Sequence, residues 1–404
     1  MKNIDLFQLG LGLTPPWYVK DAHFDTEKGQ LDVYIDFKPG STFDCPICEE
    51  TGRKALDTKE KTWRHLNFFQ HTTYLHARVP RVCCSHDKSV HQVNVPWSRP
   101  GSGFTLLFEA YILTLVEQMP VRAAARVVGE QDTRLWRILH HYVDKARENE
   151  DLSSVTRVAV DETSQAKGHN YVTLFVDTDR SRVIYVTEGK GAGTLEDFTA
   201  DFRMHGGSPE AITDICMDMS PAFIAGAETH LPHAAITFDK FHAVKLVNEA
   251  VDQVRRAEQR TMPALKGTRY VWLKNASNLT VKQKAVMDDV LKDRHLQTVR
   301  AYHFRLSFQE MYRQLPLDAS MYLQKWYYWA THSRLQPIIQ VAKTIKKHRN
   351  GILRWFESRI TNGLMEGINS LVQAAKNKAR GYRSSRNLIT IIYLIAGKLN
   401  LQPV

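Results

Sequence analysis

The chain has 404 residues, which is more than one hydrophobic core usually holds, so we expect two to four domains. Its hydrophobic content of 43% excludes wholesale disorder, and the lack of any apolar run approaching roughly 18 residues excludes a transmembrane helix. A net charge of +11 favours a polyanionic partner, most often nucleic acid, although a merely soluble basic protein can carry the same charge.

The N-terminal region, residues 1–95, is predicted to be a β module. Its first segment, MKNIDLFQLGLGLTPPW, lacks the apolar run of a signal peptide. The runs LDVYIDF and TTYLHARV, each bracketed by turn residues, predict short strands between positions 30 and 95. Four of the five cysteines lie here, and in an unsecreted chain of this length clustered cysteines indicate metal binding rather than disulfides.

The cysteine spacing predicts a zinc site. Zn²⁺ takes four tetrahedral nitrogen or sulphur ligands, and two tight turns on neighbouring hairpins can supply them. The favoured set repeats one spacing twice and comprises Cys45, Cys48, Cys83 and His86. Rival sets replace His86 with Cys84 or His91, and four ordinary buried thiols would give the same sequence. The fifth cysteine, Cys216, is expected in the core.

Residues 100–150 resemble a helix-turn-helix. In VRAAARVVGEQDTRLWRILHHYV, Ala125 and Gly129 are four residues apart, which permits close helix packing and a turn. Asp132 could cap the second helix. Its inner face would be formed by Leu135, Ile138 and Leu139, and its outer, DNA-reading face by Thr133, Arg134 and Arg137. An ordinary helical hairpin with a solvated basic face is the alternative.

Residues 155–245 carry a strand-rich pattern that predicts a ribonuclease-H-like core. Three β-type runs, VTRVAV, YVTLFVD and RVIYVTE, precede a helix, a strand, a helix and a further strand. In that topology the first and fourth strands are neighbours, so Asp161 and Asp218 should lie side by side where these strands end. Adjacent carboxylates repel unless a cation joins them, and oxygen ligands select Mg²⁺ or Mn²⁺.

A third carboxylate is expected from the helix of RITNGLMEGINSLVQAAKNK in the final segment, 351–404. Thr361 or Asn362 could cap this helix. One apolar stripe would pack on the sheet, formed by Leu364, Ile368, Leu371, Val372 and Ala375. Glu366 lies off that stripe, on the face of Asn369, Ser370 and Gln373. Glu162 alternates away from Asp161, and Asp214 lies deeper than Asp218, so neither is assigned to the triad.

Residues 246–350 are predicted to be mostly helical and carry many aromatic residues, including WYYW at 326–329. Most of those rings should be buried in the helical core, although Trp326 and Trp329 offer a candidate dimer surface.

These segments together resemble the DDE-type transposases of bacterial insertion sequences, particularly the ISL-three family. The resemblance rests on VAVDETS (158–164), DMS (218–220), FDKFHAVKLVNEAVDQVRR (238–256), TNGLMEGINS (361–370) and ARGYRSSRNL (379–388). CPIC at 45–48 and the helix-turn-helix are also similar, so nearly the whole chain is covered. One departure is that the family has a cysteine where His86 stands.

The resemblance implies that Asp161, Asp218 and Glu366 form the acidic triad and that residues 246–350 are an insertion in a catalytic core. Two Mg²⁺ ions roughly 4 Å apart would then serve in-line phosphoryl displacement, with no covalent protein–DNA intermediate. Basic residues after Glu366 would hold phosphates, unless they are only a solvated helix end; they are Lys376, Lys378, Arg380, Arg383 and Arg386.

The expected fold is therefore multi-domain α/β: a zinc-binding β module, a helix-turn-helix, and a ribonuclease-H-like core interrupted by a helical insertion. The expected function is metal-dependent cleavage and strand transfer at the terminal inverted repeats of an insertion sequence. We expect a cytoplasmic, nucleoid-associated bacterial protein that acts as a homodimer or larger assembly on double-stranded DNA. The alternatives are a DNA-binding regulator with an inert core and a structure-specific nuclease such as a junction resolvase.

Overall fold

A computed structural model describes residues 3–165, 170–293, 295–358, 360 and 362–401. The chain divides into two compact units, residues 1–147 with 399–404, and residues 148–398. None of the helices that fall within the described residues is both long and apolar enough to span a bilayer.

The first unit begins with a β-rich part. Its elements are α1 (Asn3–Gly10), β1 (Trp17–Asp25), β2 (Gln30–Phe37), β3 (Thr42–Phe43), β4 (Arg53–Lys54), β5 (Asp57–Phe68), β6 (His71–Cys83) and β7 (Val90–Gln92). One sheet has the order β1-β2-β6-β5, and β7 pairs with the C-terminal end of β6. Strands β3 and β4 pair with each other. The predicted strands are β2 and β6, whereas β1 and the long, mostly exposed β5 were not predicted, because β5 is highly charged and lacks an apolar alternation.

The sheet of the first unit buries one face. Along β6 buried and less buried residues alternate from Thr72 to Val79, with Leu75 and Val79 fully enclosed. The alternation shifts by one residue where Val79 and Pro80 are both buried, so that Val82 is also fully enclosed. Trp17, Trp63 and Trp97 pack in the same core. The zinc-ligand candidates lie on the two turns next to this core, one after β3 and the other after β6.

Three helices complete the first unit: α2 (Leu106–Gln118), α3 (Val121–Val128) and α4 (Asp132–Glu148). Gly129 ends α3 in the left-handed conformation, with φ of 70°, as the turn requires. Leu135, Ile138 and Leu139 are fully buried, which confirms the predicted inner face of α4. Asp132 is the first helical residue, so it lies inside the first turn and not at the cap position where we predicted it.

The second unit contains a five-stranded sheet. Its strands are β8 (Arg157–Ser164), β9 (Tyr171–Asp177), β10 (Arg182–Glu188), β11 (Asp214–Met217) and β12 (Ala235–Phe238). The order is β10-β9-β8-β11-β12. The β8, β9 and β10 strands form an antiparallel meander, and β11 is parallel to both β8 and β12. The expected adjacency of the first and fourth strands is therefore present.

Helices α5 (Ala192–Met204) and α6 (Pro221–His230) connect the later strands of this sheet. A helical block follows, as expected, formed by α7 (Lys240–Glu258), α8 (Arg269–Leu273), α9 (Val281–Val290), α10 (Gln297–Met311), α11 (Pro316–Thr331), α12 (Gln336–Lys347), α13 (Arg349–Leu353) and α14 (Trp355–Ser358). Its buried residues, including Trp272 and Phe308, form one continuous core with Val160 and Ile215 of the sheet.

The last two helices are α15 (Asn362–Ala379) and α16 (Ser385–Ala396). Met365, Ile368 and Val372 form the buried side of α15. The prediction that Leu371 belongs to that side is wrong, because its side chain is 52% exposed and the buried stripe passes through Met365 instead. Thr361, one of the two predicted caps, lies outside the described residues, and Asn362 is the first residue of the helix.

Candidate functional site: an acidic strand edge, a cysteine cluster and a helix-turn-helix

Three parallel strands bring three aspartates into one row. Ala159 of β8 is the register partner of Cys216 of β11, and Cys216 is the partner of Thr237 of β12. Two residues further along each strand stand Asp161, Asp218 and Asp239. Because residues at the same register position lie at the same level of a parallel sheet, all three meet at one edge.

Asp161 is half-buried in this row. Its carboxylate accepts hydrogen bonds from the Glu162 backbone N–H at 2.8 Å and from the Asn369 side-chain amide of α15 at 2.6 Å. Burial raises the pKa of Asp161 above its ordinary value, while the nearby His242 charge lowers it. Keeping this carboxylate ionised therefore requires compensation from hydrogen bonds or from a cation.

Asp218 follows β11 directly and accepts a hydrogen bond from the Ser220 backbone N–H at 2.9 Å. Glu162, which we predicted on the other side of β8, still lies close enough to interact with it. The pKa of Glu162 is raised first by burial and then by the negative charge of Asp218. Glu162 therefore belongs electrostatically to the same edge.

Asp239 and His242 form a pair that the sequence reasoning missed. One Asp239 oxygen caps α7 by accepting the Phe241 backbone N–H at 2.8 Å, and the other lies 2.8 Å from His242 Nδ1. This hydrogen bond raises the pKa of His242, and the charges of Asp239, Asp161 and Asp218 raise it further. The available signal was the Asp-x-x-His spacing where a strand becomes a helix, but its partners depend on the strand register.

Glu366 lies on α15, three residues before Asn369 and therefore one helical turn from it on a shared face. That face is turned towards β8, since Asn369 contacts Asp161 and Gln373 lies 3.4 Å from Thr163. Glu366 itself is exposed and lies off the buried stripe, as expected. Asp214 lies at the opposite end of β11, where it pairs with Arg354 at 3.0 Å.

Lys376 does not fit the phosphate-binding role expected of it. The residue is buried, its ammonium group donates a hydrogen bond to the Ser164 carbonyl, and burial lowers its pKa. It thus anchors α15 to the end of β8. The remaining basic residues of this segment are exposed, namely Lys378, Arg380, Arg383 and Arg386.

In the first unit, three thiols converge. The sulphur atoms of Cys45, Cys48 and Cys84 all lie within 4.8 Å of one another, a separation that a tetrahedral zinc ion accommodates. Hydrogen bonds from the Glu50 backbone and from Ser85 lower the pKa of Cys48 to about 6, which favours the metal-binding thiolate.

Two residues of the favoured zinc set lie outside this group. Cys83 is exposed, and its sulphur is 3.7 Å from the Lys88 carbonyl. The alternation of β6 shifts by one residue at Val79 and Pro80, which are both buried, so Val82 faces inwards and Cys83, the last residue of the strand, does not. Cys84, which follows the strand, is buried. His86 is also exposed. The structure thus favours Cys84 as a ligand and replaces Cys83, whereas the prediction for Cys45 and Cys48 agrees with the geometry.

The candidate recognition helix α4 exposes Thr133 and Arg137. Arg134 behaves differently from the outward-facing residue we predicted. Its guanidinium pairs with Glu130 at 2.6 Å and stacks 4.3 Å above the centre of the Phe104 ring. Arg64, which is buried, also lies 3.8 Å from Glu130. Arg134 therefore has a structural role within the module.

Comparison with known proteins matches each part of the chain. Residues 158–392 match the DDE family model of ISL3, described as a transposase. Residues 93–143 match the helix-turn-helix domain of transposase family ISL3, and residues 41–87 match the zinc-finger of transposases of IS204, IS1001, IS1096 and IS1165.

Two curated relatives extend over most of the chain. The transposase for insertion sequence element IS1557 of Mycobacterium tuberculosis is 28% identical over 438 residues, covering 98% of this chain and 96% of the relative. The transposase for IS1001 of Bordetella parapertussis is 27% identical over 372 residues, covering 87% of this chain and 88% of the relative. The transposase match to residues 158–392 alone spans more than half of the sequence, so the chain belongs to the ISL3 family of insertion-sequence transposases.

Proposed function

We propose that this transposase cleaves DNA at the terminal inverted repeats of its element and joins the freed ends to target DNA. The observation that carries the proposal is the row of Asp161, Asp218 and Asp239 at one edge of three parallel strands. An antiparallel meander joined to parallel strands in the order β10-β9-β8-β11-β12 also supports a ribonuclease-H-like core.

The acidic edge fits a hard divalent cation. The charge of Asp239 acts on Asp161 and that of Asp218 acts on Glu162, burial raises the pKa of the half-buried Asp161, and carboxylate oxygens are the ligands that Mg²⁺ or Mn²⁺ prefers. Asp161, Asp218 and Glu366 would hold the metal. Bound there, Mg²⁺ would supply activation of the attacking oxygen and stabilisation of the leaving oxygen.

The other side chains position these ligands and the DNA. Asn369 orients Asp161 through its 2.6 Å hydrogen bond, and Lys376 ties α15 to the end of β8, which would keep Glu366 near that edge. His242, fixed by Asp239 through Nδ1, presents its other ring nitrogen as a donor to a phosphate oxygen of the DNA. The exposed Lys378, Arg380, Arg383 and Arg386 would bind neighbouring phosphates.

The N-terminal modules would supply recognition of the element's ends. Arg137 and Thr133 of α4 are the exposed base-reading candidates. Zn²⁺ held by Cys45, Cys48 and Cys84 would stabilise the β module. Because one chain offers one acidic edge and transposition joins two ends, we propose a homodimer or larger assembly on DNA. Trp329 is 64% exposed and could contribute to its interface, whereas Trp326 is buried.

A strand-transfer assay with the inverted repeats that flank the gene distinguishes this function from its alternatives. We expect Mg²⁺-dependent nicks at the repeat ends, followed by joined products. An inert regulator would bind the repeats without cutting them. A junction resolvase would cut four-way junctions of unrelated sequence equally well, and either result would overturn the proposal.

A further inference from the structure

Two turns in the zinc-finger region are closed in the same way. The Cys45 N–H donates to the Glu50 carbonyl at 3.0 Å, and the Cys84 N–H donates to the Ser89 carbonyl at 2.9 Å. In both turns the acceptor is five residues after the donor. The two turns are therefore closed by equivalent hydrogen bonds.

A second feature confirms the equivalence. The fifth residue of each turn has a left-handed backbone, with φ of 59° at Glu49 and 61° at Lys88. Non-glycine residues seldom adopt this region, so its appearance at the same position of both turns is not a generic loop property. The turns can thus be matched residue by residue: Cys45 to Cys84, and Cys48 to the residue three positions after Cys84.

That residue is Asp87, and we propose that its carboxylate is the fourth zinc ligand. Positions one and four of the first turn supply Cys45 and Cys48, and position one of the second supplies Cys84. The equivalent fourth position would supply the remaining ligand of a tetrahedral site. Zn²⁺ accepts carboxylate oxygen alongside thiolates. The proposal rests on the zinc site proposed above and replaces His86 as the fourth ligand.

The surroundings of Asp87 support this assignment. One carboxylate oxygen accepts the Ser89 backbone N–H at 2.9 Å, and the other lies 3.0 Å from His91 Nε2. Outer partners of this kind orient the ligands of metal sites. His86 stands at the third position of its turn, which corresponds to Ile47, and Ile47 is 58% exposed. By this correspondence the exposed His86 does not occupy a ligand position, and His91 would be an outer partner of Asp87.

The test uses the full-length protein refolded with Co²⁺ in place of Zn²⁺, because sulphur-to-cobalt charge-transfer absorption counts the bound thiolates. We expect three thiolates in the wild type. Asp87→Cys should bind a fourth, which raises that absorption by about a third, and should tighten zinc binding. Asp87→Ala should weaken zinc affinity at least about tenfold in a chelator competition, whereas the matched His86→Ala should leave it unchanged.

Two results would overturn the assignment. Unchanged zinc affinity in Asp87→Ala, with loss of zinc in Cys45→Ser and Cys84→Ser, would show that the site exists but Asp87 is not a ligand. Retention of zinc in the two cysteine variants would show that zinc is not bound at this site. Asp87→Cys guards against misfolding of the alanine variant, since an unchanged cobalt spectrum in a folded Asp87→Cys protein also refutes the proposal. None of these readouts depends on DNA cleavage.

Discussion

Arg134 and Arg137 stand one helical turn apart on α4, yet the structure predicts opposite consequences for their removal. Arg134→Ala removes an ion pair of 2.6 Å to Glu130 and a cation–π contact of 4.3 Å to Phe104. Glu130 is only 6% exposed, but it keeps Arg64 at 3.8 Å, so its charge is not left without a partner. Arg137→Ala removes an exposed side chain from the same helix.

The cost of Arg134→Ala follows from these contacts. A partly exposed cation–π contact contributes about 0.5–1 kcal/mol. The pair with Glu130 contributes about 1 kcal/mol, because Arg134 is 38% exposed and Arg64 compensates in part. The free energy of unfolding of the first unit should thus fall by about 2 kcal/mol, a decrease in its melting temperature of about 4–8 °C. Arg137→Ala should change stability by less than about 0.5 kcal/mol.

DNA binding should give the reverse order at temperatures where both variants are folded. Loss of a base contact by Arg137 lowers the affinity for the cognate repeat by about 1–3 kcal/mol and leaves scrambled DNA unaffected. A phosphate contact would instead lower both affinities and reduce the salt slope by about one. Calorimetry and fluorescence anisotropy measure the two effects. If Arg134→Ala melts like the wild type while Arg137→Ala loses stability, our account of how α4 is packed is wrong.

Three further predictions concern the zinc site, the core and the histidine of the acidic edge. Elemental analysis should find no zinc in Cys45→Ser and Cys84→Ser, in which the β module should unfold, whereas Cys83→Ser should retain zinc. The opposite result for Cys83 and Cys84 would favour the ligand set predicted from the sequence, which contains Cys83. Gly351→Ala would place a Cβ atom 2.5 Å from the buried Phe238 ring and should lower the free energy of unfolding, measured with denaturant, by about 1–3 kcal/mol. The control Gly363→Ala, whose Cβ meets nothing within 4 Å, should be neutral or slightly stabilising, and equal stabilities of the two variants would refute this packing. The pKa of His242 is raised in the folded state, so its pair with Asp239 stabilises the fold fully below the unfolded pKa of about 6.5. This stabilisation is lost as the pH rises through the folded-state pKa. His242→Gln, measured in EDTA, should therefore be more destabilising at about pH 6 than at about pH 9.

The positions of Asp161 and Asp218 were predictable from the sequence because the apolar pattern of a strand shows where the strand ends. The apolar run before Asp161 and the strand before Asp218 indicated both positions, and the sheet order made them neighbours. Asp239 and His242 could not be assigned, since their role depends on the register between β11 and β12. Predicting that register requires knowing which residues of two short buried strands face each other.

Residues whose roles depend on packing were the ones placed wrongly. Arg134 has the residue type and helix position of a DNA reader, but Phe104, thirty residues earlier, provides the ring on which it stacks. Lys376 is basic and near Glu366 in sequence, but its ammonium group donates a hydrogen bond to the Ser164 carbonyl. Cys83 and Cys84 are adjacent, and which of them is buried depends on a one-residue shift in the alternation of β6 at Val79 and Pro80. Local spacing carries none of this long-range information.

We propose that Asp161, Asp218 and Glu366 carry out metal-dependent DNA cleavage. The most direct measurement compares Asp161→Asn, Asp218→Asn and Glu366→Gln with Asp197→Asn, a matched change at an exposed residue of α5. Each triad variant removes a ligand charge with little change in volume, so we expect loss of cleavage in Mg²⁺ with nearly unchanged repeat binding in Ca²⁺ gel shifts. Asp197→Asn should cleave like the wild type. Substantial cleavage by any one triad variant would contradict the assignment of that residue.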